Sequence, residues 1–357
     1  MQEGMSDQKR ADLHEIDIVI PTWNGKQFLG PCLESIFNQS FTSFRVIVVD
    51  NGSTDGSADY IRAGFPDVRL IVLDANRGFS AAVNAGIAAG SAPLIFLLNN
   101  DTELAPDCLA ELAGAAAGSD EDFFAPKMLS YRHRDILDGA GDGFLRGGVG
   151  YRLGTMERDG EVYGRSRRVF GACGGAALYR RTMFERLGLF DEDFFAYLED
   201  VDLNFRANRA GCTCRYVPAA RVYHIGSATS GSRINFFTVR LSTRNNFFLL
   251  LKNYPASFFI RFLAPILIYQ FFWLLFVVKK GQLRGYAAGV AGFFGNIGPV
   301  LAKRKTTLGA PGISDRELIG RILHAEQDVI GSIMRRRQSQ GKGNGMLKLY
   351  ARLFLQV

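Results

Sequence analysis

This chain of 357 residues contains little cysteine, and its first residues do not resemble a signal peptide. The cysteines are odd in number and scattered, which argues against a disulfide framework, and no pair has zinc-site spacing. The five are Cys32, Cys108, Cys173, Cys212 and Cys214. Residues 1–14 are polar and charged, without the apolar stretch of a signal peptide, so we expect a polar N-terminal extension and a body that folds in the cytosol.

Two common nucleotide-binding signatures are also missing. A dinucleotide-binding dehydrogenase needs Gly-x-Gly-x-x-Gly directly after its first strand, and residues 21–25 read PTWNG instead. The Gly-x-x-x-x-Gly-Lys-Ser/Thr loop of P-loop nucleotidases does not occur in the sequence. Both observations argue against these two classes of nucleotide-binding protein.

The charge is distributed unevenly along the chain. The net charge is +7, but residues 279–357 hold 14 Lys and Arg against four Asp and Glu, so the tail carries +10 and the rest −3. A basic tail on a mildly acidic body favours an anionic surface as partner. No basic groove with interleaved aromatic residues is present, so we predict a membrane surface and no nucleic acid.

Four short apolar runs have the character of strands buried on both faces. They span residues 17–20, 45–49, 69–73 and 93–98, with helix-compatible stretches over 26–39, 55–64 and 79–90 between them. This alternation predicts an α/β fold with a mostly parallel sheet. Each run ends in small polar residues, and ligands bind beyond the carboxyl ends of such strands, so these ends suit a ligand with base, ribose and phosphate.

Two later segments differ in character. Residues 139–168 are rich in Gly and Arg with little periodicity, which predicts a long mobile loop. Residues 190–202 contain six carboxylates interleaved with large apolar side chains. Burial at a pocket rim can raise a carboxyl pKa toward that of a working base, although many acidic clusters are only solvated helix faces.

An apolar stretch over residues 258–278 is interrupted by only Arg261 and Gln270. Its charge-free part, 262–278, has 17 residues, the lower limit for a membrane span. A span from a cytosolic body would put the basic residues of 279–284 on the far side, against their usual preference. We favour a segment that lies in the inner leaflet, and a span or hairpin and a buried helix of a soluble protein remain as alternatives.

A series of motifs, in this order and spacing, resembles the inverting family-2 glycosyltransferases of the GT-A fold, in particular their bacterial rhamnosyltransferase-like branch. The resemblance covers roughly residues 14–250. The motifs are 18–25 (IVIPTWNG), 49–57 (VDNGSTDGS), 76–86 (NRGFSAAVNAG), 97–102 (LLNNDT), 171–178 (GACGGAAL), 190–202 (FDEDFFAYLEDVD) and 222–224 (VYH).

The resemblance implies a domain organisation. After the extension over 1–14 we expect a GT-A catalytic domain over 15–250 with a Rossmann-like, mostly parallel sheet. Apolar membrane-associating segments would follow over 251–305, and a basic, helical tail over 306–357.

The resemblance also implies a catalytic pair and a metal site. Asp200 matches the general base that removes the acceptor hydroxyl proton, with Glu199 beside it. Asp101 and His224 match metal ligands for Mg²⁺ or Mn²⁺, which would neutralise charge on the departing diphosphate. Asn99 stands where the family's metal motif has its first aspartate, which removes one negative charge from the site.

Further positions match donor and acceptor contacts of the family. For Asp50 the alternative is a helix N-cap, and for Arg77 it is a surface ion pair. Acceptor or sugar contacts fall on Gly174, Gly175 and Asp202, and Asp202 could instead orient its neighbours. Donor contacts fall on Thr22, Asn24, Asp50, Ser53, Asn76, Arg77, Gly78, Asn99 and Asn100.

The expected reaction is transfer of a sugar from a nucleotide diphosphate sugar, dTDP-rhamnose as first candidate, to a hydroxyl of a glycan or glycolipid. A membrane-attached enzyme with a cytosolic site suggests a polyprenyl-linked acceptor at the cytoplasmic face of a bacterial inner membrane. The alternatives are a sugar-1-phosphate nucleotidyltransferase, which usually has a Gly-rich basic loop after the first strand, and a non-catalytic nucleotide-sugar-binding scaffold.

Overall fold

The structure is a computed structural model that describes residues 15–226 and 234–355. The polar extension predicted over residues 1–14 lies outside the described residues. The four predicted strands are confirmed, and they pair in parallel as β1 with β2, β2 with β3 and β1 with β4. Their bounds are β1 (Ile16–Thr22), β2 (Phe44–Asp50), β3 (Arg69–Val72) and β4 (Leu94–Leu98). β3 lies at the sheet edge and, unlike the prediction, has no buried residue.

Three helices connect these strands, as the sequence predicts. They are α1 (Lys26–Phe37), α2 (Ser57–Gly64) and α3 (Phe79–Ala89). Each connection returns the chain to the same end of the sheet, because the strands run in parallel. The polar residues that follow β1, β2 and β4 therefore lie together at one edge.

The segment over 139–168 is not the long loop that its composition predicts. The chain first forms β5 (Thr102–Leu104), α4 (Cys108–Ala117) and β6 (Phe123–Ser130). It then continues through β7 (Leu137–Ala140) into an antiparallel hairpin of β8 (Asp142–Leu145) and β9 (Val149–Arg152). These strands are only four residues long, so glycine and arginine obscured their alternation.

The second half of the domain adds antiparallel strands and two helices. The elements are β10 (Arg167–Val169), β11 (Ala176–Arg180), α5 (Arg181–Leu187), α6 (Glu199–Arg209) and β12 (Cys214–His224). β11 pairs antiparallel with both β4 and β6, and β12 pairs parallel with β6. The main sheet has the strand order β10-β12-β6-β11-β4-β1-β2-β3. The predicted α/β class is confirmed.

The rest of the described chain is helical, in agreement with the predicted helical tail. The predicted boundary at residue 250 falls inside α7. The helices are α7 (Phe236–Asn253), α8 (Ala256–Arg261), α9 (Leu263–Lys279), α10 (Leu283–Phe294), α11 (Ile297–Gly309), α12 (Asp315–Ser339) and α13 (Gly345–Phe354).

The C-terminal helices share a hydrophobic core with the α/β domain. Phe258 and Phe262 are buried together with Phe144 of the β8–β9 hairpin and Phe205 of α6. Tyr254 donates a hydrogen bond to the carbonyl of Arg146 in the same hairpin, over 3.0 Å. The helices are therefore part of the domain that carries the predicted site and not a separate appendage.

α9 packs on α7 with one side and leaves the other side exposed. Trp273 donates a hydrogen bond to Thr243 of α7 over 2.9 Å, and Gln270 donates one to Asn246 over 2.6 Å. On the opposite side, apolar side chains from Leu263 to Val278 stay open to solvent. Within residues 15–226 and 234–355, no helix combines the length and the apolar character that crossing a bilayer requires.

Candidate active site

A cavity of about 690 Å³ opens at the carboxyl ends of β1 and β4. It is closed on one side by the residues that follow β4 and on another by the N-terminal turn of α6. The β8–β9 hairpin forms a further wall. The cavity thus receives side chains from at least four separate parts of the sequence. The predicted residues that line it are Thr22, Asn76, Gly78, Asn99, Asn100, Asp101, Gly174, Gly175, Glu199, Asp200 and His224.

Strand pairing brings Asp101 and His224 together. β5 and β12 are antiparallel and place His224 opposite Thr102, so Asp101 is its neighbour. The Nε2 atom of His224 lies 3.3 Å from Oδ1 of Asp101. The backbone N–H of Ile225 also donates to the carbonyl of Asp101, over 3.0 Å. Two residues far apart in the sequence therefore form one polar cluster.

A third residue, Asp138, holds the His224 ring. Oδ2 of Asp138 lies 2.7 Å from Nδ1 of His224. Burial opposes the charged imidazole, but its hydrogen bonds to Asp101 and Asp138 outweigh burial and raise the pKa of His224. Burial likewise opposes the Asp101 carboxylate, and the contacts with His224 outweigh it and lower the pKa of Asp101.

This donor set fits a divalent cation. A carboxylate that holds one ring nitrogen of a histidine, here Asp138 on Nδ1, is the usual surrounding of a metal-binding imidazole, and Nε2 of His224 faces Asp101, the second ligand candidate. Mg²⁺ is commonly held by one or two carboxylates with substrate phosphates and water completing its shell, and an imidazole is compatible with Mn²⁺. Asp101 and His224 would supply two ligands, and Asp138 would orient the histidine.

Asp200 and Glu199 occupy the first turn of α6 and line the cavity. The backbone N–H of Gly174 donates to Oδ2 of Asp200 over 2.9 Å, which fixes the carboxylate. Glu199 is buried, and burial followed by the charge of Asp200 raises the pKa of Glu199. Within the described part of the chain, Oε2 of Glu199 has no hydrogen-bond partner. The two neighbouring carboxyl groups thus have different environments.

The β8–β9 hairpin contributes site residues that the sequence analysis missed. Asp142 and Arg152 face each other across its two strands, and both line the cavity. Arg152 also pairs with Asp138, through NH1 and Oδ2. Burial, followed by the charge of Asp200, raises the pKa of Asp142. The available signal was the pair of carboxylates, Asp138 and Asp142, in the glycine-rich run 138–143.

Asp142, Cys173 and Asp200 also bring three potential ligand atoms within 4.8 Å of one another. Arg152 lies close enough to Asp142 and Asp200 to interact with both of them electrostatically. A guanidinium group therefore already balances negative charge at this position. Burial also raises the pKa of the Cys173 thiol, and sulfur ligands suit softer metals than Mg²⁺ or Mn²⁺, so the Asp101–His224 pair is the better candidate for a divalent cation.

The predicted donor residues separate into two groups. Those that line the cavity are tied to one another: Asn100 donates to Thr22 over 2.7 Å, and the backbone N–H of Gly78 donates to Asn76 over 2.9 Å. Gly78 has φ +89°, and a Cβ there would lie 2.5 Å from the carbonyl oxygen of Phe195. The space that Gly78 leaves is therefore used by Phe195.

The second group does not line this cavity. The backbone N–H of Asn24 donates to Ser53 over 2.9 Å, and the N–H of Ser53 reaches Asp50 at 3.3 Å, so these three residues connect the ends of β1 and β2. Asp50 is almost fully buried and does not cap α2, since Asp55 accepts from the N–H of Ser57 instead.

The side chain of Arg77 is half-exposed and forms a surface ion pair. This is the alternative that the sequence analysis considered for Arg77. Its NH2 lies 3.9 Å from Oε2 of Glu192, a distance at which exposed pairs contribute little. The backbone N–H of Arg77 donates to Asn51 over 2.9 Å. The side chain is therefore not fixed by the protein.

Asp202 lies apart from the other residues predicted to contact the acceptor. It is completely buried and does not line the cavity. It accepts hydrogen bonds from Arg206 at 2.8 Å, Lys252 at 3.0 Å and Asn253 at 2.8 Å. The side chain joins α6 to α7, which agrees with the other role considered for it, orienting its neighbours.

Comparison with known proteins decides the family. A model of "Glycosyl transferase family 2" matches residues 17–188. The "PGL/p-HBAD biosynthesis glycosyltransferase" of Mycobacterium bovis is 32% identical over 195 residues, which cover 53% of this chain and 68% of that protein. The chain belongs to glycosyl transferase family 2. The "N-acetylglucosaminyl-diphospho-decaprenol L-rhamnosyltransferase" of Mycobacterium tuberculosis is 29% identical over 238 residues, or 60% of this chain and 78% of that protein.

Solved structures agree on the fold. The crystal structure of GalNAc-T7 with UDP, GalNAc and Mn²⁺ aligns with a TM-score of 0.56 and 17% identity. The alignment covers 68% of this chain and 48% of that chain, so this protein spans about half the length of that neighbour. The GT-A fold predicted from the family-2 motifs is confirmed.

Proposed function

We propose that this family-2 glycosyltransferase moves a sugar from a nucleotide diphosphate sugar to a hydroxyl group of a glycan, with inversion at the anomeric carbon. One observation carries the proposal: the carboxylate of Asp200 and the Asp101–His224 pair line the same cavity. A base for the incoming hydroxyl and ligands for a phosphate-bound cation are the two components that this reaction needs. A sugar-1-phosphate nucleotidyltransferase has no comparable use for Asp200.

Asp200 acts as the general base. The acceptor oxygen forms a bond to the anomeric carbon while the bond from that carbon to the diphosphate breaks, and the hydroxyl proton moves to Asp200. The N–H of Gly174 holds one carboxylate oxygen of Asp200 in place. Glu199, whose raised pKa favours its protonated form, is able to donate a hydrogen bond within the same cavity.

Asp101 and His224 hold the divalent cation, Mg²⁺ or Mn²⁺, and Asp138 orients the imidazole. When bound, the cation neutralises charge on the departing nucleoside diphosphate. Thr22, Asn76 and Asn100 line the cavity near β1 and β4 and supply neutral hydrogen-bonding groups for the donor.

The acceptor in this proposal is polyprenyl-linked, as the name of the mycobacterial rhamnosyltransferase states for that relative. dTDP-rhamnose is the first candidate donor for the same reason. The enzyme acts in assembly of a cell-surface polysaccharide. Such an acceptor is anchored in a membrane, so the cavity has to operate at a bilayer surface.

The exposed side of α9 supports attachment to that surface. Leu263, Leu267, Phe271 and Leu275 follow each other at intervals of four residues, and each is between 48% and 58% exposed. Such a row of large apolar side chains on one helix face suits the boundary between headgroups and acyl chains. The exposed Lys279, Lys280 and Arg284 follow directly and complement anionic headgroups.

In this proposal α9 lies in the cytoplasmic leaflet of a bacterial inner membrane without crossing it. The nucleotide sugar then reaches the cavity from the cytosol, and the lipid-linked acceptor reaches it from the bilayer. The net charge of +10 over residues 279–357 strengthens attraction to an anionic surface.

The first test is a transfer assay with the full-length protein. Purified protein is incubated with UDP-, GDP- and dTDP-sugars and a polyprenyl-diphosphate-linked glycan, and the product is analysed for the anomeric configuration. Asp200→Asn keeps the shape but removes the proton acceptor, so kcat should fall by about 10²–10⁴-fold while donor binding is retained. A variant that keeps more than about a tenth of wild-type turnover contradicts the assignment of the base.

A further inference from the structure

A short turn directly before the catalytic pair has a strained backbone. Three non-glycine residues in it have positive φ: Phe195 at 63°, Tyr197 at 69° and Leu198 at 66°. Left-handed geometry costs residues with a side chain roughly 1–2 kcal/mol each. Residues 194–198, here named the 194–198 turn, therefore need external support to keep this conformation, and Glu199 and Asp200 follow immediately.

The turn begins with an unusually tight element. Phe195 has φ 63° and ψ −64°, and the N–H of Ala196 donates to the carbonyl of Phe194 over 2.7 Å, which together define a γ-turn of the rare, strained type. The γ-turn directs the carbonyl of Phe195 toward Ser80 at the start of α3, with 3.4 Å between N and O. Its geometry determines where the chain enters α6.

One side chain contacts three backbone carbonyls of this turn. Asn245 of α7 is completely buried. Its Nδ2 lies 2.9 Å from the carbonyl oxygen of Phe194, 2.9 Å from that of Ala196 and 2.7 Å from that of Tyr197. An amide group has two N–H donors, so the three carbonyls share them. This contact satisfies buried acceptors that a standard turn would not present.

Arg244 fixes the orientation of that amide. Its Nε donates to Oδ1 of Asn245 over 2.9 Å, so the oxygen of the amide faces the guanidinium and the nitrogen faces the turn. NH2 of Arg244 donates to the carbonyls of Asp193 at 2.8 Å and Phe194 at 3.0 Å. The two consecutive residues together bind the backbone from 193 to 197.

We propose that Asn245, oriented by Arg244, is a positioning residue for sugar transfer: it holds the 194–198 turn in its strained conformation and thereby sets the place of Asp200 in the cavity. This inference rests on the proposed function, because that function makes Asp200 the base. Asn245 itself does not line the cavity and acts only through the backbone.

Asn245 also connects the 194–198 turn to the C-terminal helices. α7 contacts the turn on one side and α9 on the other, where Trp273 donates to Thr243. The exposed apolar side of α9 thus lies one helix away from the turn. The residues that hold the turn before Glu199 and Asp200 therefore lie in α7, which follows the family motifs of residues 18–224 in the sequence.

The test compares two buried asparagines with similar local chemistry. Asn208 of α6 donates from Nδ2 to the carbonyls of Phe170 at 2.6 Å and Asn204 at 2.9 Å, away from the cavity. Asn245→Ala and Asn208→Ala each remove a buried amide that binds backbone carbonyls. Asn245→Asp keeps the volume but replaces the donor with an oxygen that faces three carbonyls.

Both Asn245 variants should lower kcat by about 10²-fold, because displacing a reacting group by about 1 Å can cost this much, while the donor KM changes little. Hydrogen exchange of the amides over 195–201 should become faster in them and not in Asn208→Ala. Asn208→Ala should lose thermal stability but retain a kcat close to that of the wild type.

Two results overturn the inference: a kcat in the Asn245 variants no lower than in Asn208→Ala, or unchanged exchange over 195–201. If the wild type itself transfers no sugar, the proposed function fails, and the exchange measurement alone then decides whether Asn245 holds the turn. Because Asn245→Asp leaves no cavity, its effect also separates loss of the donor from loss of packing.

Discussion

At the scale of single residues, Asp101 shows how a modest ligand set can depend on its neighbours. One carboxylate and one imidazole are few ligands for a divalent cation. Here Asp138 fixes the ring of His224, and strand pairing fixes its distance from Asp101. Because Asn99 contributes no negative charge, Asp101 is the single carboxylate of the 99–101 motif.

We therefore expect transfer activity to be lost in EDTA and restored by Mn²⁺ or Mg²⁺. Asp101→Ala should weaken metal-dependent donor binding, and His224→Ala should raise the cation concentration needed for half-maximal activity. The measurement is activity against cation concentration, together with calorimetry of nucleoside diphosphate binding with and without Mn²⁺. His133, which is exposed, provides the matched control as His133→Ala. Full activity in EDTA contradicts the metal site.

Asp202 leads to a prediction about stability. Burial opposes its charge, but attraction to Lys252 and Arg206 outweighs burial and lowers its pKa well below the usual range. Asp202→Asn leaves Arg206 without its buried carboxylate, whereas Lys252 keeps its ion pair with Asp191. Loss of one partner of a buried pair costs about 3–5 kcal/mol, so the free energy of unfolding at neutral pH should fall by that amount.

The pH dependence of this loss has a defined sign. Because folding lowers the pKa of Asp202, its stabilisation is present above the unfolded-state pKa of about 3.9 and disappears as the pH falls toward the folded-state value. Urea unfolding of wild type and Asp202→Asn should therefore differ most near pH 7 and converge in acid. Asp59→Asn removes an exposed ion pair with Arg62 and should change little. If Asp202→Asn instead raises the KM for the acceptor and leaves the stability unchanged, Asp202 binds the acceptor.

The residues found from sequence were those with an ordered motif around them. Asp200, Asp101 and His224 lie in the predicted cavity because each belongs to a motif at a strand or helix end. For Asp202 two roles stayed open, because a carboxylate three residues after Glu199 gives no indication in the sequence whether it faces the cavity or α7. Arg152 was missed because no motif includes it, and only the hairpin register brings it opposite Asp142.

At the scale of elements, the first four strands were predictable because each is a short continuous apolar run, and the helices because helix-compatible stretches lie between these runs. The β8–β9 hairpin was not, since strands of four residues with glycine at Gly143 and Gly150 give no clear alternation. Those glycines permit close packing: a Cβ at Gly150 would lie 2.7 Å from Val201 of α6. The glycines that led to the prediction of a mobile loop therefore allow the hairpin to pack closely on α6, the helix that carries Asp200.

α7 shows a different limit of prediction from sequence. Its polar residues Asn245 and Asn246 are buried, although a polar pattern of this kind resembles an exposed helix face. Each donates to backbone carbonyls of a different loop, Asn246 to those of Gly147 and Gly148 at 2.9 and 2.7 Å. Only the tertiary structure shows which loops these amides bind.

At the scale of the whole molecule, the predicted membrane surface and the cavity adjoin the same helix. Phe237 in the first turn of α7 is 43% exposed and lines the cavity, while α9 packs along the same helix. Removal of residues 258–357 would take Phe258, Phe262, Leu318 and Ile322 from a core that also contains Phe205. Truncation therefore disturbs the catalytic domain itself, and membrane attachment is better tested with exposed side chains.

The last prediction concerns that attachment. Full-length protein should float with vesicles that contain phosphatidylglycerol and bind vesicles of pure phosphatidylcholine more weakly, because each Lys or Arg near an anionic surface contributes about 1 kcal/mol. High salt should weaken binding without abolishing it, since screening acts on the charges and not on the apolar contact.

Leu267→Ser with Phe271→Ser should reduce binding strongly. Met156→Ser with Val162→Ser removes comparably exposed apolar groups on another part of the molecule and should not. Wild-type protein that stays unbound at low salt would contradict the membrane proposal, and the exposed side of α9 would then be an interface between proteins.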